Sequence, residues 1–191
     1  MARISVEEFK ERLARDVPGA LAPERPKAHQ DRNGAAPQAQ AEPRPRGRKV
    51  EEGPPDLLAT NDAVVLPERL PDIAIYLRDT LGYDLLSNLT AVDYLADGVI
   101  EMVYHFMNLE GGPPLVVKTR VPREQPVVPS LTPIWPGADL QEREAYDLYG
   151  VHFPGHPNLK RVYMWDEFEG HPMRKDFPKQ GDKYLTDEDE V

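Results

Sequence analysis

Residues 85–108 read LLSNLTAVDYLADGVIEMVYHFMN, and they decide the fold class. Leu85–Tyr94 is apolar with polar interruptions. Asp97-Gly98 is a tight-turn dipeptide, and Val99–Asn108 is a second apolar run rich in β-branched and aromatic residues. Two such runs joined by a short turn form an antiparallel pair. Downstream, Gly111-Gly112-Pro113-Pro114 breaks the chain, and Leu115–Val121 reads as a third strand of the same kind. Upstream, Ala63–Leu66 is a short strand candidate. Pro67 can open a helix, and Leu70, Ile73, Ala74, Leu77 and Leu81 follow at spacings of three and four until Gly82 stops the run. A further helix is expected over Ala138–Tyr149, ended by Gly150. The order predicts an α+β fold, a small antiparallel or mixed sheet with helices on one face.

Four regions follow from the pattern. Residues 1–17 form a short amphipathic helix: Ser5 and Glu8 make a capping box, Ile4 and Phe9 a hydrophobic staple, and Val6, Phe9 and Leu13 one face. A helix this short is marginal in water, so it is either transient or docked on a partner subunit. Residues 18–56 hold eight prolines, seven alanines and no aromatic residue, a composition that reads as a flexible, disordered linker. Its basic patch, Arg44, Arg46, Arg48 and Lys49, is a solvated linker segment or a contact for an acidic surface. Residues 57–150 are the α+β core domain. Residues 151–191 are an extended C-terminal arm, broken by Pro154, Pro157, Pro172 and Pro178. The arm carries Phe153, Leu159, Val162, Tyr163, Trp165, Phe168 and Phe177 without periodicity, and is expected to lie on a partner's surface.

Composition narrows the function. The 191 residues contain no cysteine, which removes disulfides and thiolate-held zinc or iron–sulfur centres from this chain. The net charge is −10, against nucleic-acid binding. It is unevenly spread: residues 1–56 hold 11 Lys and Arg against 10 Asp and Glu, the remainder 12 against 23. No apolar run approaches the ~20 residues of a membrane span, and the first residues carry acids where a signal peptide needs an apolar stretch. The chain is expected to stay on the side of the membrane where it is made, and to meet the membrane through partners.

The candidate chemistry is thin. His152 and His156 have the spacing of a helical ligand pair, but Pro154, Gly155 and Pro157 forbid a helix there, so no metal site is expected. Glu142 and Glu144 point about 200° apart on a helix and do not converge for acid–base work. Arg143 and Asp147 stand at i and i+4 and can pair, either as ordinary surface charges or as a desolvated network at an interface. Arg174-Lys175-Asp176 lies between two prolines with no nucleophile or cofactor motif nearby, and no phosphate-cradling glycine loop is present. No catalytic residue is expected.

Two blocks carry a resemblance. Glu142-Arg143-Glu144-Ala-Tyr-Asp147-Leu-Tyr-Gly150-Val-His-Phe-Pro-Gly155-His156-Pro157 resembles the signature of the 30-kDa subunit family of complex I (the C subunit of bacteria, the J subunit of chloroplast-type enzymes). Gly170-His171-Pro172-Met-Arg174-Lys175-Asp176-Phe177-Pro178 resembles that family's C-terminal motif, and Thr90–Tyr94 its central strand. The similarity spans roughly residues 60–180. It implies that these block residues, with Arg161, form the family signature and partner interface. It also implies an arm wrapped on the 49-kDa-type quinone-site subunit (the D subunit of bacteria), with iron–sulfur subunits B and I as further partners. No cofactor is implied in this chain; FMN, iron–sulfur clusters and quinone belong to partner subunits. The resemblance implies a structural role in a proton-pumping translocase that passes electrons from NADH to quinone in a respiratory chain. The chain would lie peripherally on the cytoplasmic face of the cell membrane in a bacterium. The family usually has Trp just before the Glu-Arg-Glu helix, where Leu140 stands, so a weaker packing contact is expected there. Residues 18–56 look like an insertion. Two other readings remain: a homologous subunit of a ferredoxin- or F420H2-fed dehydrogenase or membrane-bound hydrogenase, and a free-standing enzyme using the carboxylates near Glu142.

Overall fold

The computed structural model describes residues 4–23 and 58–178. Most of the expected Pro/Ala-rich linker, with its basic patch at residues 44–49, and the end of the arm lie outside the described residues.

Four strands form one mixed sheet. They are β1 (Ala63–Val65), β2 (Leu85–Tyr94), β3 (Val99–Met107) and β4 (Leu115–Pro122), in the order β1-β4-β3-β2. β2 and β3 make the antiparallel pair expected from residues 85–108, with a bulge at Leu86/Asn88, and β3 pairs antiparallel with β4. Only β1 runs parallel to its neighbour β4, because the helical connection carries the chain across before β2 begins. Gly98 closes the β2–β3 connection with φ 65°, a conformation that favours glycine.

Strand alternation assigns the two faces. Leu86, Leu89 and Ala91 of β2, Ile100, Met102, Tyr104 and Phe106 of β3, and Leu115, Val117 and Val121 of β4 are buried in one hydrophobic cluster. The helices share it: Phe9 and Leu13 of α1 (Val6–Asp16), Leu70, Ile73, Ala74 and Leu77 of α2 (Leu70–Asp79), and Ala138 and Ala145 of α3 (Ala138–Tyr149). The opposite face carries charge, with Glu101 accepting from Arg120 Nε at 2.7 Å and Lys118 Nζ 2.9 Å from Asp62.

Two expectations change here. Helix α1 is capped as its sequence predicts, Ser5 Oγ accepting from the Glu8 amide at 3.1 Å. It docks on the chain's own core and not on a partner: Phe9 and Leu13 are fully buried, and Tyr76 Oη donates to Asp16 Oδ2 at 2.7 Å. Nor is the irregular chain after α1 detached from the domain at once. The Leu66 amide donates to Ala20 O and the Ala22 amide to Val64 O, both at 2.9 Å, because the outer edge of β1 leaves backbone groups to be satisfied.

The stretch between β4 and α3 has no long element, yet Val128, Leu131 and Trp135 are buried. Trp135 packs on Phe106 with ring centroids 5.1 Å apart and donates Nε1–H to Asp84 O at 3.2 Å. The start of the arm pairs with this stretch: the His152 amide donates to Pro126 O at 2.8 Å, and the Val128 and Ser130 amides to His152 O and Pro154 O. Val151 and Phe153 are buried in the core cluster, so the first residues of the arm, expected on a partner's surface, pack on the chain's own domain.

Candidate functional site

Three buried carboxylates, Glu142, Asp147 and Asp93, organise the two signature blocks. Glu142 lies on the inward side of α3 and is fully buried. Its Oε1 accepts from the Leu131 amide and its Oε2 contacts Ser130 Oγ, both at 2.6 Å. Thr132 Oγ1 contacts Ser130 Oγ in turn, and the Thr132 amide donates to it at 3.1 Å. Burial pushes the Glu142 pKa up to about 7, and the bonds from Ser130 and Leu131 only partly oppose that.

Asp147, five residues further on, is also fully buried. Its Oδ2 accepts three consecutive backbone amides, Val162 at 3.0 Å, Tyr163 at 2.8 Å and Met164 at 2.9 Å. Its Oδ1 accepts from Arg161 Nη1 at 2.7 Å. Burial alone would raise its pKa; the three amides and Arg161 outweigh burial and hold the carboxyl below its ordinary value. Arg161 goes on to bond Phe168 O at 2.9 Å and Gly170 O at 3.2 Å, and its guanidinium lies 5.7 Å from the centre of the Phe168 ring.

Asp93, at the end of β2, receives Arg123 Nε at 2.7 Å, Arg123 Nη2 at 3.1 Å and the Lys175 amide at 2.8 Å. Arg123 also pairs with Asp176. The second block is thereby fastened to the sheet. Arg174 Nε donates to Tyr149 O at 2.7 Å, and the Met173 amide to Leu148 O at 3.1 Å. His171 Nδ1 lies 3.0 Å from Asp147 O; a carbonyl requires a donor, so Nδ1 carries the proton. Burial holds the His171 pKa below the usual histidine value, so the ring is neutral at neutral pH. Two glycines make room for this packing. A Cβ on Gly150 (φ 76°) would sit 2.5 Å from His171 Nε2, and one on Gly170 (φ 90°) 2.8 Å from the Phe177 ring.

The structure corrects the expected Arg143–Asp147 pair. Arg143 reaches the arm backbone instead, donating to Lys160 O at 3.0 Å and Arg161 O at 3.2 Å, while Asp147 points inward to Arg161. Glu142 and Asp147 are therefore not surface helix charges; the network they form is internal to this chain. Glu144 is exposed, with a 3.4 Å contact from Tyr163 Oη. His156 accepts the Asn158 amide at Nδ1 (3.0 Å) and faces Asp139 O at Nε2 (3.2 Å). Gly155, Pro157 and Pro178 are exposed, and Pro172 is half-buried. Phe177 stacks on Phe168 at 5.8 Å. Leu140 is 61 % exposed; the buried tryptophan that precedes the helix is Trp135. Sequence reasoning did not single out Arg123, Ser130 or Thr132. Arg123 lies 30 residues from Asp93, and no local spacing marks the pair.

Among the described residues, no group of three or more His, Asp or Glu side chains could hold a metal ion. No described helix is long and apolar enough to cross a membrane. A cleft lined by Ile4, Arg12, Tyr83, Asn108 and Pro113 shares no residue with the three carboxylate stations.

Comparison with known proteins adds to this geometry. The profile of the family described as "Respiratory-chain NADH dehydrogenase, 30 Kd subunit" matches residues 63–183. The chain is 50% identical over 119 residues to the C subunit of the NADH-quinone oxidoreductase of Moorella thermoacetica, covering 62% of this chain and 80% of that one. It is 46% identical over 117 residues to the corresponding C subunit of Roseiflexus castenholzii, covering 60% and 67%. Among solved structures, a chain of the membrane-bound sulfane sulfur reductase, an archaeal respiratory membrane complex, superposes with a TM-score of 0.62 at 26% identity, over 91% of this chain and 86% of that chain.

Proposed function

The chain belongs to the 30 Kd subunit family of respiratory-chain NADH dehydrogenase, and from that premise we propose that it is a non-catalytic structural subunit of the peripheral arm of a proton-pumping NADH–quinone oxidoreductase. In this reading it supports electron transfer from NADH to quinone by holding partner subunits in place. The observation that carries the non-catalytic part is the occupation of its buried carboxylates. Asp147 and Asp93 spend their oxygens on arm amides and arginines, and Glu142 is closed in by Leu131 and Ser130 with no exposed atom. A free-standing enzyme built on these three would need at least one of them open to substrate.

The proposed interface is the signature itself, Glu142 to Pro157 with Arg161 and Gly170 to Pro178. Its partners are the 49-kDa-type quinone-site subunit and the iron–sulfur subunits B and I. FMN, iron–sulfur clusters and quinone then reside in those and other partners, in keeping with a chain that has no cysteine. The chain would sit on the cytoplasmic side of a bacterial cell membrane, attached through its partners. The domain limits at residues 57, 150 and 151 belong to the same proposal.

A second reading is favoured by one observation. The match to a chain of the membrane-bound sulfane sulfur reductase runs over 91% of this chain, so an archaeal respiratory membrane complex of another name contains a chain of the same architecture. Affinity purification of the full chain from native membranes separates the readings. Co-purification of a flavin-bearing NADH-oxidising module supports the first. A complex that accepts electrons from ferredoxin or F420H2 and lacks that module supports the second. Turnover by the purified chain alone would refute both.

A further inference from the structure

We propose that residues 162–169 form a rigid, acid-rimmed aromatic knuckle that seats in a basic slot on a partner polypeptide; this rests on the subunit reading above and names the chemistry of one contact.

The rigidity is visible. Asp147 Oδ2 gathers the amides of Val162, Tyr163 and Met164, which fixes three successive peptide planes. Trp165 meets Phe168 edge to face at 4.9 Å, the Phe168 amide donates to Trp165 O at 3.0 Å, and Arg161 holds Phe168 O. A segment held this firmly has little ordering entropy left to lose on binding. Yet its largest side chains stay mostly uncovered: Tyr163 is 59% exposed, Trp165 62%, Val162 42% and nearby Met173 54%. Tryptophan and tyrosine preset on a fixed backbone are the side chains that most often anchor protein interfaces.

The charge around them selects the partner. Asp166, Glu167 and Glu169 are exposed, and no cation pairs with any of them among the described residues. The acids just behind are different, since Asp147, Asp93 and Asp176 each meet an arginine. From Val162 to Met173 there is no lysine or arginine. A surface of aromatic side chains ringed by unpaired carboxylates is repelled by an anionic bilayer and matched by a polypeptide slot lined with lysine or arginine.

The test uses the intact complex. Full-length tagged chain is purified from native membranes as wild type, as Trp165→Ala, and as Asp166→Lys, Glu167→Lys and Glu169→Lys together. Each chain's melting temperature serves as the folding control. Both variants should retain about tenfold less partner at ordinary ionic strength, and the wild-type association should weaken with salt. A zero-length carbodiimide, which joins carboxylates to amines, should link 166–169 of the wild type to lysines of another subunit. That second measurement stands whether or not a variant folds. Unchanged retention by both variants would overturn the knuckle. So would carbodiimide links confined to this chain or a second copy of it, or binding of the chain alone to phosphatidylglycerol vesicles. If the wild type brings no oxidoreductase subunit at all, the subunit reading fails with it. If the wild type brings its partners and the variants do too, only the knuckle fails.

Discussion

Replacing Asp147 by Asn tests whether this carboxylate fastens the arm to the domain. Asp147 is fully buried and makes one ion pair and three amide hydrogen bonds, to Arg161 at 2.7 Å and to residues 162–164 at 2.8 to 3.0 Å. Asparagine keeps one carbonyl oxygen for the amides but turns an NH2 group toward the Arg161 guanidinium, which is itself only 15% exposed. Charge-assisted hydrogen bonds are worth about 1.5–3 kcal/mol each, and removing one partner of a buried pair costs about 3–5 kcal/mol. We expect Asp147→Asn to cost about 3–5 kcal/mol, a large part of the ~5–15 kcal/mol that a domain commands. Arg161→Ala should cost less, about 2 kcal/mol, because the three amides still satisfy Asp147. The assay is urea unfolding of the full chain, with hydrogen exchange read at the amides of residues 162–164. The folded Asp147 pKa lies below its ordinary value, so its contribution is present above about pH 4 and is lost as pH falls through the lowered value. Asp147→Asn should therefore also flatten the acid limb of the stability profile. A loss under about 1 kcal/mol with unchanged exchange at 162–164 would show that the arm is held by something else.

Glu142 has the opposite sign: its pKa is raised from 4.5 to about 7, so ionisation costs the fold stability as pH rises between those values, by about 3 kcal/mol in all. Glu142→Gln, whose amide can accept from Leu131 and donate to Ser130, should remove that slope in melting temperatures taken from pH 5 to 8; a slope that persists assigns it to another group. Gly150→Ala places a Cβ against His171 in a left-handed backbone, and should lower stability by about 2 kcal/mol or more in the same unfolding assay, whereas Gly155→Ala, strained but with open space, should cost about 1 kcal/mol. Truncation after Gly150 removes Val151 and Phe153 from the core and strips Asp147 of its partners; circular dichroism and dye binding should report an unpacked chain, although the sequence pattern ends the core domain at residue 150.

The sequence determined the elements. Leu85–Tyr94 and Ala138–Tyr149 have the limits their patterns indicate, the capping box at Ser5 forms, and Gly98 and Gly150 close their elements in left-handed backbone, while α2 ends at Asp79, before Leu81 and Gly82. Strand alternation, helical spacing and turn residues are local properties, so they survive in a one-dimensional reading. The two signature blocks were likewise visible as contiguous runs. Only the tertiary structure decided what those runs hold. Arg143 and Asp147 are neighbours on a helix face by spacing, but a buried carboxylate seeks every donor it can reach, and the arm offers it Arg161 and three amides while Arg143 is taken by the Lys160 and Arg161 carbonyls. Asp93, Arg123 and Asp176 meet across 30 and 53 residues of sequence, and α1 packs on a sheet that begins more than 40 residues later. Such contacts follow from burial in three dimensions and leave no periodic trace in the chain. The sequence thus supplied a domain, an arm and a family; the fold shows the arm tied to its own domain by Asp147 and Asp93, with Tyr163 and Trp165 left facing outward.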